Sequence, residues 1–148
     1  MARFRFPLEG LRQLRKSTRT ERRMRLAEAY QAQAILTQQQ EDLRKELAAC
    51  RDAQRTLIAA GGLDASQAVQ HGRFQLAIES RQATLAEQAA TLEGEIERRR
   101  LALAEADQQV RLLDKLEQRR RKEFDDRQQS LETKQLDEIA TRIPRRNT

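Results

Sequence analysis

Two stretches of this chain carry apolar or small residues at alternating intervals of four and three, and a double glycine stands between them. The first stretch is Ala29, Gln33, Leu36, Gln40, Leu43, Leu47, Cys50, Gln54 and Leu57. The second is Ile78, Gln82, Leu85, Ala89, Leu92, Ile96, Arg99, Leu103, Ala106, Val110 and Leu113. On a helix of 3.6 residues per turn such positions form one narrow stripe, which must be covered by another stripe. With 35% charged residues and 3% aromatics the chain could otherwise be disordered. Disorder carries no period, so the spacing decides for long helices of the coiled-coil kind.

The segment "AAGGLDASQ" divides the seams. Gly61-Gly62 is a pair that readily takes the left-handed conformation ending a helix. Asp64 and Gln67 stand at capping-box spacing for the start of the next helix. Pro7 suits a first helical turn, and Pro144 disfavours helix at Ile143. Gly94 costs about 1 kcal/mol relative to Ala, too little to stop a helix of this length. The expected fold is all-α: a two-helix antiparallel coiled-coil hairpin with the second helix longer. Helix one is expected over about 7–60, the bend over 61–64, helix two over about 65–142, and a basic tail over 143–148. At 1.5 Å per residue the helices would measure roughly 80 and 115 Å, so the second overhangs. Helix one would then begin beside Arg120. Upstream of Ala29 the seam is expected to reach Leu8 and Leu11 through Arg15, Thr18, Arg22 and Arg25; beyond Leu113 it is diluted by Glu117, Arg120, Phe124, Arg127 and Leu131. An intermolecular coiled coil is the alternative pairing, and the short Gly-Gly turn favours folding back.

Charge is distributed unevenly along this sequence. Residues 1–25 hold nine basic against two acidic side chains, residues 26–110 nine against thirteen, and residues 111–148 eleven against eight. A hairpin brings both positive segments to its open end. The tract Arg119, Arg120, Arg121 and Lys122 lies there, within "LDKLEQRRRKEF". Four successive residues point four ways around a helix, so they make no single groove-facing stripe. A basic-zipper protein runs from basic helix to zipper without a turn, and aromatics interleaved for base stacking are missing, so nucleic acid is not the expected partner. An amphipathic membrane helix needs a broad apolar face, whereas residues 117–127 offer chiefly Phe124. An acidic protein surface fits better.

Few residues suggest chemistry. Cys50 and His71 are each alone of their kind, which leaves neither a disulfide nor a Cys-based zinc site, and no cofactor site is expected. Cys50 on the seam is expected as a buried small side chain, His71 near the bend as an exposed polar one, and Arg99 as a snorkelling seam residue. No apolar run approaches the ~20 residues of a membrane span, and no signal-peptide core follows the basic N-terminus. A cytoplasmic protein without catalytic residues is expected. Phe74 stands one turn before Ile78, far from other aromatics, and is a candidate partner contact; Ile78 itself is expected in the core.

Three stretches together, "FRFPLEGLRQLRK" (Phe4–Lys16), "LDKLEQRRRKEF" (Leu113–Phe124) and "KQLDEIA" (Lys134–Ala140), resemble the flagellar export protein family FliJ, the coiled-coil stalk of the flagellar type III secretion apparatus. The resemblance spans essentially the whole chain. It implies an antiparallel coiled coil similar to the gamma subunit of rotary ATPases, whose terminal end enters or caps the pore of the hexameric export ATPase. The ring-contact candidates it implies are Arg12, Arg15, Arg119, Arg120, Arg121, Lys122, Leu136 and Ile139. It further implies contact with the cytoplasmic part of the export gate near the start of helix two, where Phe74 and Ile78 match the aromatic-x-x-x-aliphatic pattern and Leu85 extends it. Arg81 stands where a smaller residue would complete that strip. Transient handling of export chaperones, and membrane association only through the apparatus, follow from the same likeness. A virulence-type secretion stalk would share the architecture; a nucleic-acid-binding coiled coil and a generic scaffold are the remaining alternatives.

Overall fold

Helix-favouring residues laid out on the two seams give two helices, α1 over Glu9–Ala59 and α2 over Ala65–Arg142. The computed structural model describes residues 3–62 and 64–142, and among these there is no strand. The fold is an antiparallel helical hairpin with α2 the longer arm. The tail over 143–148 lies outside the described residues.

Pro7 belongs to a turn ahead of α1 rather than to its first helical turn. The Glu9 N–H donates to the Phe6 carbonyl at 3.2 Å, closing that turn. Glu9 then sits in the first turn of α1, where a carboxylate complements the exposed N–H groups. Hydrogen bonds from Gln13 and then Arg12 hold its carboxyl below the usual range.

The bend is made by Gly61, with φ +67°. The Gly62 N–H donates to the Leu57 carbonyl at 3.2 Å and the Gly61 N–H to that of Ile58 at 3.1 Å, the paired bonds of a Schellman stop. At the start of α2 the Asp64 N–H donates to Gln67 Oε1 at 3.4 Å, which is one half of a capping box. Only Gly61 needs the left-handed region, and an added Cβ meets nothing at either glycine. Gly61→Ala is therefore expected to cost about 1–2 kcal/mol, from backbone conformation alone. Gly62→Ala should leave the urea midpoint nearly unchanged. Equal effects of the two substitutions would contradict this account.

The chain divides into two compact units. The first, Arg22–Leu103, contains the bend. Its core joins Leu43 and Leu47 of α1 to Ile78 of α2, with Leu85 packed alongside. Ala29 and Ile96 are buried too, and Leu36, Cys50, Leu57 and Leu92 are half-buried. Gln40 occupies an inner layer by donating from Nε2 to the Leu85 carbonyl at 3.5 Å, whereas Gln33 is exposed. Arg99 is half-buried: its guanidinium donates to Glu95 and to the Arg25 carbonyl.

The second unit comprises the described parts of Met1–Glu21 and Ala104–Thr148. Ala106 and Val110 are buried and Leu113 half-buried. On α1 the expected seam is displaced. Arg15 and Thr18 are half-buried as expected, but Leu8 and Leu11 are 38% and 40% exposed and Arg22 and Arg25 exposed, while Arg12, Lys16 and Arg19 are half-buried beside the expected stripe. Long basic side chains take these positions because carboxylates face them across the pair. Arg12 lies 3.6 Å from Asp114 and 4.0 Å from Glu117, and seven residues on, Arg19 lies 3.3 Å from Asp107. On α2 Glu117 and Phe124 keep inner positions, whereas Arg120, Arg127 and Leu131 are exposed.

The charged layers cost desolvation. Nε of Arg12 and Nε of Arg19 are buried and lack a hydrogen-bond partner among the described residues. Asp107 would remain paired to Arg111, at 2.7 Å, if Arg19 were lost. Arg19→Met is thus expected to leave stability unchanged or raise it by up to about 1 kcal/mol, because an apolar side chain replaces a half-desolvated cation. A loss larger than that in urea unfolding would show the ion pair to be net stabilising.

Candidate functional site

Phe4 and Phe124 meet at the N-terminal end of α1, with ring centroids 5.7 Å apart and planes tilted by 53°. The non-helical segment before Pro7 brings Phe4 there, and Phe124 continues the inner stripe of α2. Arg121 lies over the Phe4 ring at 5.5 Å and pairs with Glu117 at 3.0 Å. Glu117 in turn faces Arg12, which pairs with Glu9 at 2.6 Å and covers the Phe6 ring at 5.7 Å. The carboxylate of Glu9 first, then Glu117 and Asp114, hold the Arg12 guanidinium more firmly protonated than usual.

This network divides the basic tract. All four are exposed, but Arg121 is engaged by Glu117 and the Phe4 ring, while Arg119, Arg120 and Lys122 make no ion pair among the described residues. Arg12 and Arg15 are both half-buried, and the Arg12 guanidinium is already engaged by Glu9, Asp114 and Glu117. Every residue from 129 to 142 is exposed, including Leu136 at 66% and Ile139 at 57%. Those two are three residues apart and share a side of the helix. The region presents three free cations around an aromatic pair, and two apolar side chains further along α2.

The bend-proximal unit separates the other candidates. Phe74 is 47% exposed, beside a groove lined also by Cys50, Leu57 and His71. Ile78, one turn later, is 2% exposed and held between Leu43 and Leu47. It is a core residue and does not extend Phe74 into a surface strip. Leu85 is half-buried against that core and lines a separate groove with Arg81. Cys50 and His71 depart from expectation together: both are half-buried, with Sγ 3.9 Å from Nδ1. Each covers the other across the thin end of the pair, which leaves the thiol less buried and the imidazole less exposed.

Among the described residues no group of three or more His, Cys, Asp and Glu could hold a metal ion. None of the described helices is long and apolar enough to cross a membrane. Sequence reading missed the arginine layers at Arg12 and Arg19 and the Phe4–Phe124 pair. The signal for the layers was present in the seven-residue spacing of Arg12 and Arg19, matched by that of Asp107 and Asp114. For Phe4 there was none, because residues 3–6 are not helical.

The family model described as Flagellar FliJ protein matches residues 4–148. No curated protein and no solved structure matches the chain.

Proposed function

Because the chain belongs to the flagellar FliJ family and so to the flagellar export apparatus, we propose that it serves as a non-enzymatic stalk for the hexameric export ATPase. Its open end engages the ring, and the start of α2 meets the cytoplasmic domain of the export gate. It passes export chaperones along this route, works in the cytoplasm, and reaches the inner membrane only through the apparatus.

The observation that carries this reading is the divided basic tract. Arg121, Phe4 and Phe124 form a fixed base, from which Arg119, Arg120 and Lys122 project without partners among the described residues. Free cations on a firm base suit long-range attraction to an acidic ring lining, since no internal ion pair has to break on docking. Leu136 and Ile139 add apolar contacts beyond them. At the gate-facing side, Phe74 is the exposed anchor and Leu85 a secondary contact, with Ile78 supporting both from the core.

The test is the hydrolysis rate and oligomeric state of the purified export ATPase, with and without this protein. Addition is expected to promote ring assembly and turnover. The variant Arg119→Glu/Arg120→Glu/Lys122→Glu should weaken the effect by roughly tenfold, equivalent to about 1.4 kcal/mol. No change of rate or assembly on adding the wild-type protein would remove the stalk reading. Steeply salt-dependent binding to DNA in its place would establish the nucleic-acid alternative.

A further inference from the structure

We propose that the cleft between α1 and α2 formed by Arg22, Arg25, Arg98 and Arg99 is a binding site for a compact multivalent phosphate anion of the oligophosphate class. The cleft measures about 370 Å³ and is completed by Glu95 and Ala102. It lies wholly within the bend-containing unit and is separate from the basic tract at the N-terminal end of α1. The inference does not depend on the stalk reading.

Four guanidiniums and one carboxylate leave the lining with three net positive charges. The carboxylate is already divided between two of the arginines. Glu95 Oε2 accepts from Arg98 at 2.6 Å and 3.1 Å, and Oε1 accepts from Arg99 Nε at 2.8 Å. Arg99 also donates to the Arg25 carbonyl, which holds its guanidinium across the helix pair. These bonds from Arg99 and then Arg98 keep the Glu95 carboxyl below its usual range. One side of the cleft is therefore organised before any ligand arrives. Arg22 and Arg98 are exposed, and Arg22 stands one turn before Arg25 on α1. That spacing puts both arginines on one side of α1, where they line the cleft together with Arg98 and Arg99 of α2.

The lining also indicates which anion. Each guanidinium presents five N–H donors in a planar fork that suits phosphate oxygens. Ala102 is the one apolar residue among the six that line the cleft, the other apolar surface being arginine stems, and there is no aromatic platform. A nucleoside base would find nothing to stack on, and an amphipathic peptide no pocket for an apolar anchor. A short phosphate chain needs neither. It carries enough charge to offset the net excess and enough oxygens to engage both helices at once.

Isothermal titration of the full chain with sodium tripolyphosphate, at near-physiological salt, tests the proposal. Binding at one site per chain is expected, with orthophosphate weaker by about tenfold or more because it cannot bridge the two helices. Arg22→Gln should weaken tripolyphosphate by at least about fivefold, and Arg22→Gln/Arg98→Gln by more. Arg119→Gln/Arg120→Gln/Lys122→Gln should leave it within about twofold. Arg22 is exposed, so its variant tests the site without disturbing the Glu95 bonds. ATP should bind no tighter than tripolyphosphate. Absence of binding, loss of binding in the Arg119/Arg120/Lys122 variant equal to that in the cleft variants, or tighter binding of ATP would each overturn the proposal. Tighter binding of oligoglutamate than of tripolyphosphate would overturn it in favour of an acidic protein partner.

Discussion

Ile78→Ala is expected to lower the unfolding free energy by about 2–4 kcal/mol, and Ile78→Asp by more, since the latter buries a charge among leucines. The side chain is 2% exposed and is the α2 member of the cluster with Leu43 and Leu47. Two packed helices offer no second layer, so the cavity left by truncation has few neighbours able to fill it. Phe74→Ala, one turn away, should cost less than about 1 kcal/mol because nearly half of that ring already faces solvent. Urea unfolding followed by circular dichroism measures both. The contrast also tests the proposed gate contact. Phe74→Ala is expected to weaken the purified gate domain's binding while the protein stays folded, whereas Ile78→Ala weakens it only as far as the fold is lost. A stability loss under 1 kcal/mol for Ile78→Ala would return that residue to the surface.

Val110→Ala is expected to cost about 2 kcal/mol: two methylene equivalents at about 0.8 kcal/mol each, with a further cavity contribution. Val110 has no exposed surface at all. It sits in the unit whose α1 layers are held by arginine stems rather than leucines, so it supplies a large share of the apolar burial there. Leu112, 60% exposed, should tolerate alanine within about 0.5 kcal/mol. Amide hydrogen exchange locates the effect: protection is expected to fall first in residues 104–124 and in the start of α1. A uniform fall along both helices would mean that the two units unfold together.

Both seams were legible from residue spacing because a heptad stripe is a property of the chain's own sequence. Every second-seam residue from Ile78 to Leu113 is buried or half-buried, and the first seam holds from Leu36 to Leu57. The stop at Gly61 was legible for the same reason, since only glycine takes φ +67° without strain. Leu8 and Leu11 were misleading. They extend the pattern on paper, but Pro7 delays the helix, and α2 presents Asp107, Asp114 and Glu117 to that length of α1. Inward arginines there find carboxylate partners, at a desolvation cost that an apolar side chain would not carry. The partner residues, not the local pattern, set that choice.

The candidate site was legible only in part. The four-residue basic tract is plain in the sequence, but its division into one paired cation and three without an ion pair among the described residues follows from Phe4 and Glu117. Likewise Phe74 and Ile78 form one motif by spacing, yet only one of them faces solvent.

Helical periodicity and the positive-φ glycine are local, so the chain's own order of residues was enough to determine two helices, their stop and the stripe each buries. Which arginines turn inward, which stand free, and that four of them converge on one cleft depend on what the opposite helix places within a few ångströms. Coulomb attraction and desolvation act across that gap and have no signature in the periodicity of either helix, so the tertiary pairing alone decided them.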